Sequence, residues 1–280
     1  MPELWGVLNI TPDSFSDGGR FLDPSDALAH AKRLISEGAA VLDVGGESSR
    51  PAGTAYGEGF ETVPVAEEIE RVVPVIAQLT GELRAKVSID TVKSEVAEAA
   101  LDAGARVVND VGCARNPRLA EVAARTQAEY VIMHNRGRGE VQPPHTDYSD
   151  VVSEVLSELL EAARRVESAG VDRAHIWLDP GLGFAKTAAQ SLSLLSSLGR
   201  FRKTGYRILV GPSRKSFIGR LAPNPDGTVP SADARLGGTA AAVDHCANAG
   251  VDAIRVHDVH ALRQFLEMKK VLRSTVEVTP

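Results

Sequence analysis

The segment EGAAVLDVGG, residues 37–46, joins a helix-like stretch to a short β-branched run through a glycine, and this joint returns along the chain. Similar joints lie in AGARVVNDVG (103–112), AGVDRAHIWLDPG (169–181) and AGVDAIRVHD (249–258). Glycine suits the left-handed residue that closes a helix. Nearly continuous apolar runs are typical of parallel strands covered on both faces. The repeated joint therefore predicts alternating helices and parallel strands.

Strand candidates recur throughout the 280 residues, and helical patterns such as SDALAHAKRLISEG (25–38) separate them. The candidates are residues 5–10, 41–45, 86–90, 106–110, 130–134, 175–179, 207–211 and 253–257. Eight such units predict the α/β class and a single (β/α)8 TIM barrel over residues 1–280. The alternative is a doubly wound open sheet, but no G-x-G-x-x-G follows the first strand.

Composition narrows the class of protein. The chain has 31 Lys and Arg against 37 Asp and Glu, which gives a net charge of −6 and argues against nucleic-acid or membrane-surface partners. Its two cysteines cannot form a disulfide framework, and no apolar run reaches the length of a membrane span. We expect a cytoplasmic protein.

Polar residues stand where the apolar runs stop. A single Asp after a strand is commonly a helix N-cap, but eight strands that all end in polar groups favour an active site at the C-terminal mouth of a barrel. These strand-end residues are Asn9, Asp43, Asp90, Asn109, Asp110, His134, Asp179, Ser213, Arg214, Lys215, Arg255 and His257.

The strand-end groups divide by charge. Asn9, Asp90, Asn109 and Asp179 offer amide and carboxylate edges that suit a flat heterocycle, whereas the cationic groups suit phosphate or carboxylate. The cationic set is Arg50, Lys215, Arg255 and His257. Arg255 and His257 are two residues apart, so on one strand they share a face. A solvated salt bridge is the alternative role for Arg255.

Seven motifs in order resemble those of the dihydropteroate synthase family. They are GVLNITPDSFSDGG (6–19), ESSRP (47–51), SIDT (88–91), VVNDV (107–111), LDPGLGF (178–184), PSRKSF (212–217) and RVHDV (255–259). The resemblance implies a transferase of folate biosynthesis, in the EC 2.5.1 class and a target of sulfonamides. It would condense (7,8-dihydropterin-6-yl)methyl diphosphate with 4-aminobenzoate by an SN1-like substitution.

The resemblance also assigns site residues. Asn9 would hold Mg²⁺ with the diphosphate, while Ser49, Arg255 and His257 would bind the diphosphate. Asp90, Asn109, Asp179 and Lys215 would line the pterin slot, and Asp90, Asp179 and Lys215 would serve catalysis. The aminobenzoate pocket and its loops would use Phe15, Asp17, Arg50, Pro51, Phe184 and Ser216.

Two departures from the family pattern fall in one loop: Ser49 stands where Thr is usual, and residues 52–60 lengthen the loop. A catalytically silent pterin-binding paralogue is the alternative function. A methyl-transferring pterin enzyme is disfavoured, since the chain lacks a cobalamin module. We expect a homodimer, although the apolar stripes at residues 244–249 and 261–272 are equally explained by barrel packing.

Overall fold

The computed structural model describes residues 1–10, 24–47, 63–137 and 145–276. Its strands pair in parallel and in chain order, and the eighth pairs with the first, so the sheet is a closed barrel. The strands are β1 (Glu3–Asn9), β2 (Val41–Gly45), β3 (Val87–Asp90), β4 (Val107–Asp110), β5 (Glu129–Met133), β6 (Ile176–Asp179), β7 (Arg207–Val210) and β8 (Ala253–Val256). The predicted barrel is confirmed, with strand ends that differ by two residues at most.

Helices fill the intervals between the strands. They are α1 (Pro24–Glu37), α2 (Val65–Gly81), α3 (Ser94–Asp102), α4 (Pro117–Arg125), α5 (Val151–Ser168), α6 (Ala188–Ser196), α7 (Leu198–Arg202), α8 (Ser216–Leu221), α9 (Leu236–Ala249) and α10 (Val259–Val276). The glycines of the repeated joint, Gly38, Gly104, Gly170 and Gly250, have φ of 100°, 109°, 104° and 74°. Only glycine adopts this conformation readily, so the predicted helix ends are confirmed.

Alternate residues of each strand face the barrel interior, because side chains of a strand alternate between its two faces. The inward apolar residues form a cluster of their own, separate from the core between sheet and helices: Trp5, Val41, Val107, Val131, Trp177, Leu209 and Ala253. We call this cluster the barrel floor. Trp5 and Trp177 meet edge to face within it, with ring centroids 5.2 Å apart.

A charged network covers the floor at the N-terminal end of the barrel. The Glu129 carboxylate accepts hydrogen bonds from Trp177 Nε1 at 2.7 Å, from Arg207 Nη1 at 3.0 Å and from Lys86. The Arg207 guanidinium also lies 3.6 Å from the centroid of a Trp177 ring. Burial opposes ionisation of Glu129, but these donors outweigh it and lower the pKa of Glu129. This network ties β3, β5, β6 and β7 together at the end opposite the mouth.

We predict that Glu129→Gln lowers the free energy of unfolding at pH 7 by about 1–3 kcal/mol, because an amide cannot accept from all three donors. A lowered folded-state pKa gives stability that is present above the unfolded-state pKa and is lost as the pH falls through the folded-state value. Denaturant titrations at several pH values measure this difference. It should shrink below the ordinary glutamate value of 4.5, and the exposed control Glu121→Gln should change little. A difference independent of pH would contradict the prediction.

Candidate active site

The next inward layer above the floor is polar, and its centre is a buried carboxylate. One oxygen of Asp43, Oδ2, accepts from Asn109 Nδ2 at 3.1 Å and from Arg255 Nε at 2.5 Å. Arg255 Nη2 also donates to Asp90 Oδ2 at 3.2 Å. The register of the ladders places Asp43 beside Ser88 and Asp90 beside Asn109. Side chains of β2, β3, β4 and β8 thus form one hydrogen-bonded cluster inside the barrel.

The pKa of Asp90, a member of this cluster, is shifted to near neutral pH. Burial raises the pKa of Asp90, and the neighbouring Asp43 carboxylate raises it further, to about 7, although Arg255 acts in the opposite direction. A carboxyl group with such a pKa is present in both protonation states near neutral pH. Perturbed groups of this kind cluster at functional sites.

Asp179 and Lys215 form the second part of the mouth. Asp179 Oδ1 accepts from the backbone N–H of Gly181 at 2.7 Å, and burial raises the pKa of Asp179. Burial also lowers the pKa of Lys215 to about 7, against the opposing effect of Asp179. Lys215 Nζ donates to the Leu182 carbonyl at 2.7 Å and lies 4.0 Å from the centroid of the Phe184 ring. Lys215 also interacts electrostatically with Asp90, which joins the two parts.

The remaining described site residues lie at the same end of the barrel. His257 follows β8 and contacts Ser213, with its backbone N–H 3.2 Å and its Nδ1 3.0 Å from Ser213 Oγ. Ser216 is the first residue of α8. Asn9 ends β1, and its ladder partner Gly45 is in turn the ladder partner of Asp90. The predicted residues Phe15, Asp17, Ser49, Arg50 and Pro51 lie outside the described residues.

The prediction that all strand-end polar residues converge on the mouth was wrong for Asp110 and His134. Asp110 directly follows the inward Asn109, so it faces the helices, where Tyr130 Oη and the backbone N–H groups of Gly112 and Ala114 donate to it. His134 likewise lies outside the barrel interior and contacts Glu158. Because side chains alternate along a strand, residues that are adjacent in sequence face opposite sides of the sheet.

Two strand-end residues, Asp43 and Arg214, have no role among the predicted site residues. Asp43 shares the inward face of β2 with Gly45 and with the floor residue Val41, because alternate residues of a strand lie on one face. This alternation is the sequence signal that places Asp43 at the centre of the polar cluster. Arg214 lies between Ser213 and Lys215, yet its guanidinium donates to Asp258 at 3.0 and 2.6 Å and to Asp233 at 2.5 Å. Arg214 thus holds the segment after β8 rather than the mouth. The sequence offers no signal for this pairing.

The oxygen donors at the barrel mouth suit a divalent cation whose remaining ligands come from a substrate. Among the described residues no group of three or more His, Cys, Asp or Glu side chains could enclose a metal ion. Mg²⁺ is commonly held by one or two protein oxygens together with substrate phosphates and water. The amide oxygen of Asn9, which lies 3.8 Å from the point where a Cβ on Gly45 would stand, is a hard donor at the mouth. Such a site suits a metal that arrives with a diphosphate.

Comparison with known proteins identifies the class to which this barrel belongs. Residues 5–257 match the pterin binding enzyme family, so the barrel mouth is that of a pterin-binding enzyme. The chain is 42% identical to dihydropteroate synthase of Bacillus subtilis over 95% of this chain and 86% of that protein. The chain therefore belongs to the dihydropteroate synthase family, whose members are transferases of folate biosynthesis.

Solved structures agree. The Xanthomonas albilineans dihydropteroate synthase with 4-aminobenzoic acid has a TM-score of 0.86 and 39% identity, covering 100% of this chain and 94% of that one. The same enzyme in complex with 7,8-dihydropteroate has a TM-score of 0.83 and 37% identity, covering 100% and 95%. No helix among the described residues is long and apolar enough to cross a membrane.

We predict that Asp43→Asn lowers the pKa of Asp90. Removing the Asp43 charge removes a neighbour that disfavours ionisation of Asp90, and it frees Arg255 to turn toward Asp90. Carboxyl carbon NMR titration of aspartate-labelled protein measures the change, and Asp90→Asn identifies the resonance. An unchanged or higher pKa would contradict the effect assigned to the Asp43 charge.

Proposed function

We propose that this protein condenses (7,8-dihydropterin-6-yl)methyl diphosphate with 4-aminobenzoate, giving 7,8-dihydropteroate and diphosphate. One observation supports this most strongly: the buried edges of Asp90, Asn109 and Asp179 share a mouth with the cations of Arg255 and Lys215. Hydrogen-bonding edges suit the heterocycle, and cations suit a diphosphate. The two structures of the Xanthomonas albilineans enzyme, one with 4-aminobenzoic acid and one with 7,8-dihydropteroate, support the same pair of ligands.

In this proposal the pterin lies across the carboxylates and the amide. Asp179 accepts two N–H groups of the aminopyrimidine edge, and Asn109 and Asp90 bind its other polar atoms. Burial makes such recognition specific, because a ligand that lacks a partner group leaves a buried donor or acceptor unpaired, at a cost of about 1–3 kcal/mol. Lys215 closes the slot beside Phe184.

The diphosphate lies at the end formed by Arg255 and His257, with Ser49 contributed by the second loop, the segment between β2 and α2. Arg255 has two N–H donors committed to Asp43 and Asp90. A guanidinium has five, so the others can bind phosphate oxygens without breaking those bonds. Asn9 would hold Mg²⁺ together with the diphosphate, and the bound metal would stabilise charge on the leaving group.

The substitution is dissociative. The bond between the pterin methylene and the diphosphate oxygen breaks, and the diphosphate leaves with the electron pair. The positive charge that develops on the pterin methylene is stabilised by the fixed carboxylates of Asp90 and Asp179. The amine of 4-aminobenzoate then forms the new carbon–nitrogen bond and loses one proton. No side chain needs to act as a nucleophile, and burial raises the pKa of the Cys113 thiol.

Aminobenzoate occupies the rim beside Phe184 and Ser216, with Phe15, Asp17, Arg50 and Pro51 supplied by the first two loops. We also propose a homodimer in the cytoplasm. The exposed apolar side chains Met268, Val271 and Leu272 of α10 support an interface with a second copy, within the predicted stripe at 261–272. Both cysteines are buried and free, which supports a reducing compartment.

The direct test is to incubate the protein with Mg²⁺, the pterin diphosphate and 4-aminobenzoate and to measure diphosphate release. The proposal expects release that requires both substrates to form dihydropteroate. A silent paralogue would bind the pterin, as measured by calorimetry, and release no diphosphate in the presence of aminobenzoate. That result would overturn the proposed reaction while keeping the pterin site.

We predict that Asp179→Asn lowers turnover by about 100-fold or more while the fold persists, because the amide offers one acceptor and one misplaced donor to the pterin. Steady-state kinetics and thermal melting measure the two effects. Asp172→Asn is a matched control, since Asp172 also accepts a backbone N–H, from Ala174 at 2.8 Å, but precedes β6. Near-normal turnover of Asp179→Asn would contradict the assigned role.

We predict that Arg255→Met weakens diphosphate binding by about 10- to 100-fold, since a charge-assisted hydrogen bond contributes about 1.5–3 kcal/mol. Its melting temperature should fall too, because Asp43 and Asp90 lose their partner. Stability therefore cannot decide between the phosphate role and the salt-bridge role, and calorimetry of diphosphate binding with Mg²⁺ decides.

The matched control for Arg255 is Arg207→Met, which removes an arginine from the network below the barrel floor. This variant should lose stability and keep its affinity for diphosphate. Unaltered diphosphate affinity in Arg255→Met would leave Arg255 with a structural role alone.

A further inference from the structure

A second lysine, Lys186, lies behind the mouth. The reaction proposed above assigns it no step, and its charge opposes the burial that raises the pKa of Asp179. Lys186 is 2% exposed. Its Nζ donates to the Phe184 carbonyl at 2.8 Å and to the His134 carbonyl at 3.3 Å, and it lies 2.9 Å from His134 Nδ1. An ammonium group has three N–H donors, and three acceptors surround this one. Lys186 therefore joins the end of β5 to the loop between β6 and α6.

That loop has an unusual backbone. Gly181, Gly183 and Ala185 have φ of 65°, 79° and 47°, and the last of these is not a glycine. At Gly181 a Cβ would stand 2.0 Å from the His134 carbonyl oxygen, so the loop passes very close to β5. Glycine adopts positive φ readily, but Ala185 does not, and backbone strain of this kind persists only where the surroundings fix it. This loop therefore depends on bonds from outside itself.

Side chains supply those bonds from two sides. Lys215 donates to the Leu182 carbonyl from the mouth at 2.7 Å. Lys186 donates to the Phe184 carbonyl from behind, and Tyr148 Oη donates to the Ala185 carbonyl at 3.2 Å. Phe184, whose ring lies beside Lys215, is thus fixed by Lys186 through its backbone.

The surroundings of His134 leave its Nδ1 free to accept a hydrogen bond from Lys186 Nζ. It is fully buried, and its Nε2 lies 2.9 Å from Glu158 Oε2. Glu158 in turn pairs with Arg136, and hydrogen bonds from His134 and Arg136 outweigh its partial burial and lower the pKa of Glu158 to about 2. Burial, with Lys186 nearby, lowers the pKa of His134 to about 4. A neutral imidazole that donates through Nε2 to Glu158 presents Nδ1 as an acceptor to Lys186.

We propose that Lys186, held by His134, is a positioning residue that sets Phe184 at the wall of the aminobenzoate subsite. This inference rests on the proposed function. Asp179 is fixed differently, by the Gly181 N–H and by the ladder bond from the His134 N–H to its carbonyl at 2.8 Å. Loss of Lys186 therefore displaces Phe184 more than it displaces the pterin carboxylate.

The test compares the two substrates in Lys186→Met and Lys186→Gln. We expect the KM for 4-aminobenzoate to rise by about 10-fold in Lys186→Met, while the KM for the pterin diphosphate changes by about twofold or less. Lys186→Gln keeps N–H donors without the charge and should give a smaller rise. Should Lys186→Met fail to fold, Lys186→Gln and the His134 variants still decide.

His134 supplies a conservative pair. Asn can place an amide oxygen near the position of Nδ1, whereas Leu offers no acceptor. We therefore expect His134→Asn to keep the aminobenzoate KM close to that of the wild type and His134→Leu to raise it. The control is Leu266→Ala, which truncates a buried side chain of α10. It lowers stability without changing a contact of this loop. It should lower the melting temperature and leave both KM values unchanged.

The outcomes separate the two proposals. A wild-type protein that releases no diphosphate would overturn the proposed function. A wild-type protein that is active, with Lys186 and His134→Leu variants that change only in melting temperature, would overturn the positioning role alone. An equal rise in both KM values would also overturn it, because the displacement would not be confined to the aminobenzoate side.

Discussion

A step of two positions along a strand leads from the apolar floor of this barrel to its polar mouth. Alternation makes every second side chain face the interior, and a closed barrel interior is filled by layers of four side chains from alternate strands. The even strands give one such pair each: Val41 and Asp43, Val107 and Asn109, Trp177 and Asp179, and Ala253 and Arg255. Everything proposed for the site depends on this second layer being polar while the first is apolar.

Stability does not account for the polar layer. Desolvation makes buried charges costly, and a buried ion pair is weak evidence for a stable fold. Asp43 and Arg255 compensate each other inside the barrel, whereas Asp90 and Lys215 are both left with pKa values of about 7. Such fixed groups are suited to a reaction in which charge develops, since they need little reorganisation as it forms. The charged network around Glu129 at the opposite end supplies stability where no substrate has to bind.

The loop after β6 links the two faces of the sheet. Its mouth side is held by Lys215, and its outer side is held by Lys186 and Tyr148. A loop with three left-handed residues would otherwise populate several conformations, and the aromatic ring of Phe184 would share that freedom. Lysines on both sides fix one of these conformations, which gives the outer lysine an influence on the site without contact with the substrate.

The amino-acid sequence specifies the barrel, since glycine joints and β-branched runs are local signals that depend on φ and on strand propensity. It also determined which chemical groups end the strands, and family resemblance assigned Asp90, Asn109, Asp179, Lys215 and Arg255 to the site. The folded structure is needed to establish which of two adjacent residues, such as Asn109 and Asp110, faces inward, because strand ends and register fix that parity. It alone paired Arg255 with Asp43 and Lys186 with His134, since these partners are 212 and 52 residues apart. The first contact arises from barrel closure, which pairs β8 with β1, and the second from the pairing of β5 with β6. No local pattern encodes either contact.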